Sequence, residues 1–186
     1  RWSPLQDGRR AAYEAMWHAV SDETPELLSA FCGPDSPCPR HLKKILANYM
    51  LHYPDSDCGL SHWDRELLEA CRRNAPQTIH VMGDVLGGGI ERPYYSVPGP
   101  GYLFHRLKRM GDPGLPYPLI KLSGDTSDIR TAESWLTEAG LAVLNGEENA
   151  VALNGIDETI GGVTLSLARG PLWMFDGETL VPVDLP

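Results

Sequence analysis

The sequence contains no apolar run approaching membrane-spanning length, which excludes a spanning helix and leads us to expect a soluble protein. Cysteine is sparse. Cys32, Cys38, Cys58 and Cys71 are too few for a disulfide scaffold in a chain of 186 residues, so a reduced, cytoplasmic setting is expected. Those thiols with His41 and His62 supply enough zinc ligands in number, but no spacing among them is a recognised zinc signature. No serine lies in a Gly-x-Ser-x-Gly elbow, and no Cys/His pair forms a local catalytic motif. Gly87-Gly88-Gly89 lacks the Gly-Lys-Ser/Thr ending of a phosphate-binding loop and follows a helical pattern rather than a strand. The pairs Asp125 with Asp128 and Asp157 with Glu158 fall in polar stretches, where solvated turn residues account for them. The expectation is therefore no enzyme, no cofactor and no metal. Positive charge is also short: 16 Lys and Arg stand against 25 Asp and Glu, a net charge of -9. That balance argues against non-specific nucleic-acid binding by the whole surface.

What is present is organised around residues 59–146, which read as helix, helix, helix, two short strands and a capped closing helix, the order of a winged helix. Ser61 is placed to cap the first of these helices, with Asp64 three residues on to favour its positive end. Trp63, Leu67, Leu68 and Cys71 give that helix one buried face. A second helix is expected to start near Pro76, with Ile79, Met82 and Leu86 as its apolar stripe and Gly87 to Gly89 as its stop. Pro100 opens the third helix, and Leu103, Phe104, Leu107 and Met110 face inward. On its other side Tyr102, His105, Arg106 and Arg109 recur at i, i+3, i+4 and i+7, so the spacing predicts one solvent-facing stripe with Lys108 beside it.

In a winged helix that element enters the DNA major groove, where arginine bridges guanine acceptors and lysine meets phosphates. Residues 119–122 and 132–136 read as paired strands, and the polar loop between them as the wing, with Lys121 and Arg130 near its root. Residues 92–124 carry five cations against Asp112 alone, a local balance of +4 that leaves -13 for the rest. The leading reading is a DNA-binding regulator using Tyr102, His105, Arg106 and Arg109, with Lys108, Lys121 and Arg130 on phosphates. On that reading, charge reversal at Arg106 and Arg109 abolishes duplex binding and leaves the melting temperature unchanged. A solvated helix face would look the same in sequence. The alternative is a non-catalytic interaction module that docks a protein partner or its own missing region. The long connection of residues 87–99, with Tyr94 and Tyr95, favours it, because that loop can cover the third helix or meet a partner.

Thr137 is placed to cap the closing helix, which carries Leu141, Val143 and Leu144 and ends at Asn145-Gly146. Gly140 inside it implies a close approach to a neighbour. The run Leu136, Thr137, Gly140 and Leu144 is similar to the strand-to-helix junction of many bacterial winged-helix regulators. A longer match covers Arg40-His41-Leu42, Gly59-Leu60-Ser61, Leu136-Thr137 with Gly140, and Gly161-Gly162-Val163 with Leu165. In that order it resembles the C-terminal half of an uncharacterised bacterial family, a domain of unknown function. Members of that family usually place a basic and an aromatic residue just before the double glycine, where this chain has Glu158 and Thr159. The resemblance implies a piece of a longer bacterial protein, in keeping with a sequence that opens on Arg1, and it implies no activity.

Residues 1–58 read as a helical lobe. Its first stripe is Tyr13, Met16, Trp17 and Val20; Leu27, Leu28 and Phe31 follow on a short helix opened by Thr24-Pro25. A third helix over 40–52 has Leu42, Ile45, Leu46, Tyr49 and Met50 inside. Residues 147–186 read as an antiparallel β-meander with strands at 163–167, 172–175 and 179–183 and a hairpin at Asp176-Gly177. The fold class expected is thus α+β: an N-terminal helical lobe, a winged-helix-like core and a C-terminal β-meander, packed as one unit.

Overall fold

A computed structural model describes residues 7–33, 36, 38–90 and 97–185. The stretch with Tyr94 and Tyr95, expected to cover the third helix of the core or to meet a partner, lies outside these residues. The class is α+β, with eight α-helices and six strands among the described residues.

The helices are α1 (Asp7–Ser21), α2 (Glu26–Cys32), α3 (Arg40–Met50), α4 (His62–Asn74), α5 (Thr78–Ile90), α6 (Pro100–Met110), α7 (Glu138–Leu144) and α8 (Ala150–Asn154). The strands are β1 (Ile120–Ser123), β2 (Glu133–Leu136), β3 (Asp157–Ile160), β4 (Val163–Ser166), β5 (Leu172–Phe175) and β6 (Leu180–Val183). Caps read from the sequence form as expected. Ser61 Oγ accepts the Asp64 N–H at 3.2 Å, and Thr137 Oγ1 accepts the Gly140 N–H at 3.0 Å. A Cβ on Gly140 would lie 2.2 Å from the Leu119 carbonyl oxygen, so the close approach is real.

One hydrophobic cluster is the central stretch itself. Trp63, Leu67, Leu68 and Cys71 of α4 pack with Met82, Leu103, Leu107 and Ile120. β1 and β2 pair antiparallel, Ile120 opposite Leu136, and the wing is residues 124–131 between them. A third backbone segment joins this hairpin: Gln77 bridges Glu133, with the Ser134 N–H donating to the Pro76 carbonyl at 2.7 Å. Pro76 therefore belongs to a short extended segment. The second helix starts at Thr78, not at Pro76, and runs through Gly87 to Gly89 as far as Ile90 instead of stopping there. Its inward residues are Val81, Met82 and Val85, whereas Ile79 is exposed.

The second cluster joins the two ends of the chain. Leu28, Leu46, Met50 and Tyr53 from the helical lobe pack against Ile160, Leu165, Leu172 and Met174. β3–β4 and β5–β6 are separate antiparallel hairpins and not one continuous meander, because β4 and β5 share no ladder. The residues 157 and 158 expected in a loop form β3, and α8 is a helix with no counterpart in the sequence reading. Asp176-Gly177 makes the expected turn, its carboxylate accepting the Glu178 and Thr179 N–H groups.

The turn at Gly161 and Gly162 pins the β3–β4 hairpin to the helical lobe. The Gly162 N–H donates to the Val20 carbonyl at 3.0 Å, and a Cβ on Gly162 would lie 2.2 Å from the Ser21 carbonyl oxygen. Backbone cannot yield as a side-chain tip can, so Gly162→Ala should cost about 1–3 kcal/mol in urea denaturation. Gly88 in α5 has open space around its missing Cβ. Gly88→Ala should therefore stabilise by about 0.5–1 kcal/mol in the same measurement.

Candidate functional site

The residues expected to read DNA sit on α6 and at the wing. α6 begins at Pro100, suited to a first turn, and buries Leu103, Phe104, Leu107 and Met110 as the spacing predicts. Its other face departs from expectation. Arg106 is only 8% exposed, and its guanidinium is enclosed by two carboxylates. Two of its nitrogens donate to Asp64 of α4, with Nε to Oδ1 at 2.8 Å, and the third donates to Glu158 of β3. Asp64 is buried as well and accepts a further hydrogen bond from Ser61 Oγ at 2.7 Å. Burial works against the charge on Arg106, but Asp64 and Glu158 outweigh it and hold the guanidinium above its ordinary range.

Arg109 is drawn to the same cluster. One of its terminal nitrogens lies 3.2 Å from Glu158 Oε2, and the other donates to the Asp157 carbonyl at 2.9 Å. Tyr102 is half-buried, with its hydroxyl 3.0 Å from His52 Nδ1. Burial pushes the Tyr102 hydroxyl up to about 12. Three of the four residues in the expected stripe are thus turned to the protein, and only His105 is fully exposed.

The solvent-facing charged side chains of α6 are consequently His105 and Lys108. Lys108 is exposed with its Nζ 5.0 Å over the Phe104 ring, and Lys121 lies 5.9 Å from the Trp135 ring. These lysines line a hollow of about 650 Å³ that also takes in Asp112 and Thr126. Arg130 is exposed in the wing. The wing itself carries Asp125 and Asp128, whose carboxylates close its turns on Ser127 and Arg130. Lys108, Lys121 and Arg130 are therefore matched in number by Asp112, Asp125 and Asp128. A surface balanced in this way has little to offer a phosphate backbone.

Beside the ion-pair cluster lies a groove of about 510 Å³ between α6, α8 and the β3–β4 hairpin, with Leu60, Met110, Val151 and Leu167 as apolar walls. Its charged end is already satisfied within the chain. Among the described residues no three His, Cys, Asp or Glu side chains gather closely enough to hold a metal ion. No described helix is long and apolar enough to cross a membrane.

A second surface was not expected. Tyr13, Trp17, Leu27 and Ile45, all read as inward, are exposed. Trp17 keeps 68% of its surface, Ile45 53% and Leu27 50%. The Tyr13 and His41 rings are 6.3 Å apart, a single contact of α1 with α3. Their helical periodicity could not reveal this, since it marks an apolar stripe without saying whether anything covers it.

Against models of known protein families the chain gives no match, and no curated protein matches it.

Arg106 holds the buried cluster together, so charge reversal there should lower the melting temperature, contrary to the unchanged value expected of a surface stripe. Arg106→Leu leaves Asp64 and Glu158 facing each other and should cost about 3–5 kcal/mol of unfolding free energy. Arg109→Leu, at a half-exposed site, should cost about 1 kcal/mol or less in the same denaturant titration.

His52 gives a second test. It is held below the usual histidine value of 6.5, first by burial and then by the Arg106 guanidinium. The unfolded chain then binds the extra proton, so stability should decline as pH falls through 6.5. Urea titrations between pH 7.5 and 5.5 should show this decline flattened in His52→Gln.

Proposed function

We propose that this chain is a non-catalytic interaction module that docks a protein partner, with its winged-helix-like core acting as scaffold. The observation that carries the reading is the exposure of Trp17, Leu27 and Ile45, one on each of α1, α2 and α3. Several large apolar side chains left exposed on one small helical lobe are material for a contact surface, and tryptophan is among the residues that dominate interface energies. A reduced cytoplasmic setting suits the four cysteines, which are free. Burial raises Cys32 and Cys71 to about 11, so these thiols stay protonated and inert at neutral pH.

The reading as a DNA-binding regulator keeps one supporting observation. The order α4, extended segment, α5, α6, β1, wing, β2 is that of a winged helix, and His105, Lys108, Lys121 and Arg130 remain exposed around its third helix and wing. Contact through these residues alone would be weak and steeply salt-dependent.

The two readings separate in one pair of measurements. Immobilised chain and its Trp17→Ser, Ile45→Ser variant are exposed to bacterial extract, and retained proteins are quantified at moderate salt. A protein held by the first and lost by the second, with melting temperatures equal, is the expected result. In parallel, fluorescence anisotropy follows labelled random-sequence duplex at low and moderate salt. Salt-sensitive binding that disappears in Lys108→Ala with Lys121→Ala would return the function to DNA.

A further inference from the structure

We infer that the hollow between the end of α6, β1 and the wing binds a small organic monocarboxylate, its apolar body on the hollow's wall and its carboxylate held by Lys108 and Lys121. The inference is independent of the docking reading above, since it uses none of the exposed residues of α1, α2 and α3.

The base of the hollow is set by how α6 ends. Gly111 closes that helix, and a Cβ on it would lie 2.9 Å from the Leu122 Cγ and 3.2 Å from the Ile120 carbonyl oxygen, so the helix end sits directly on β1. The Leu119 N–H then donates to the Met110 carbonyl at 2.9 Å, which brings the connection back to the helix before the strand begins. Pro113 and Pro118 lie in that connection, and with Leu122 they give the hollow its apolar wall. Proline fixes its own φ, so this wall has little conformational freedom to lose when a ligand arrives. The volume of about 650 Å³ falls within the range of small-molecule sites, roughly 300–1,000 Å³.

The charge of the hollow is opposite to that of the chain. Its lining holds Lys108 and Lys121 against Asp112 alone, a single positive charge in excess, in a protein of net charge -9. Asp125 and Asp128 are spent on the turns of the wing. Elsewhere cations take carboxylates, as Arg73 takes Asp84 at 2.8 Å and Arg109 takes Glu158 at 3.2 Å. Neither Lys108 nor Lys121 has such a partner among the described residues. Their ammonium groups lie over the Phe104 and Trp135 rings instead, which holds them in place and leaves their charge uncancelled. Competing acceptors are engaged. Asp112 Oδ1 accepts the Gly114 N–H at 2.8 Å, and the last carbonyls of α6 accept from the N–H groups of Gly111, Asp112 and Leu119. A carboxylate entering the hollow therefore meets two ammonium groups that no anion has claimed. The single excess charge selects a monoanion, because a phosphate monoester or a dicarboxylate brings a second negative charge with nothing left to meet it. The apolar wall selects against inorganic phosphate, which has no surface to bury there.

The test uses the whole 186-residue chain, isotopically labelled, with its backbone amides followed by NMR. Octanoate, cinnamate and naphthoate are titrated to about 10 mM, ten times the Kd of about 1 mM that ordinary ligand efficiencies give for molecules of this size. The expected result is saturating shifts at the amides of Gly111, Ile120, Leu122 and Thr126 with at least one of the three acids. Lys108→Gln with Lys121→Gln should weaken that binding about tenfold and, as a pair of surface substitutions, leave the melting temperature unchanged. The uncharged primary amide of the same acid should also bind about tenfold more weakly. Naphthyl phosphate should bind no more tightly than naphthoate. Equal binding of acid and amide would overturn the inference, as would tighter binding of the phosphate ester or of inorganic phosphate. Shifts that survive the double glutamine variant, or no shifts at these amides with any of the three acids, would overturn it too.

Discussion

The guanidinium of Arg106 lies where the two hydrophobic clusters of this chain meet, and its two carboxylate partners come from opposite sides of that junction. Asp64 belongs to α4 of the central stretch and Glu158 to β3 of the terminal cluster. A buried arginine without partners would be prohibitively costly, so the position of β3 and the position of α6 each require the other. Backbone contacts also tie distant segments together. The Ala150 N–H donates to the Cys58 carbonyl at 2.8 Å, and Asp55 bridges Phe175 of β5. The three segments read as a lobe, a core and a meander thus fold as one cluster from the middle of the chain and another from its two ends.

That one interaction also decides what the winged-helix-like core can present. Arginines on the third helix would have given it a basic face, but their charge is spent inside the fold on Asp64 and Glu158. What remains outside is balanced by Asp112 and the wing carboxylates, so the surface that a groove-binding protein makes positive is close to neutral here. Among the large apolar side chains left exposed, Tyr13, Trp17, Leu27 and Ile45 lie on α1, α2 and α3, far along the chain from the helix that drew attention first.

Much of the fold was legible in the sequence because the signals were local. Ser61 caps α4 through an N–H three residues away, Thr137 does the same for α7, and Asp176-Gly177 turns its hairpin with bonds spanning two or three residues. Gly140 announced a close contact, and one was found at Leu119. The errors concern elements whose identity rests on partners far away. Gln77 is extended because Glu133 lies beside it, and β3 is a strand because β4 follows and Arg106 waits opposite. Polar residues such as Asp157, Glu158 and Thr159 carry no strand periodicity of their own.

The sequence alone therefore determined the α+β class, the caps at Ser61 and Thr137, the turn at Asp176-Gly177, and the inward faces of α4 and α6, because each follows from spacing within a few residues. Only the tertiary structure decided which faces remain open. A stripe at i, i+3, i+4 and i+7 shares one side of a helix whatever surrounds it. Whether it meets water, a carboxylate 52 residues further on, or nothing at all depends on how distant segments pack. Arg106 read as exposed and is buried, while Trp17 read as buried and is exposed. Both reversals have the same cause: helical periodicity defines faces, and long-range contacts assign them.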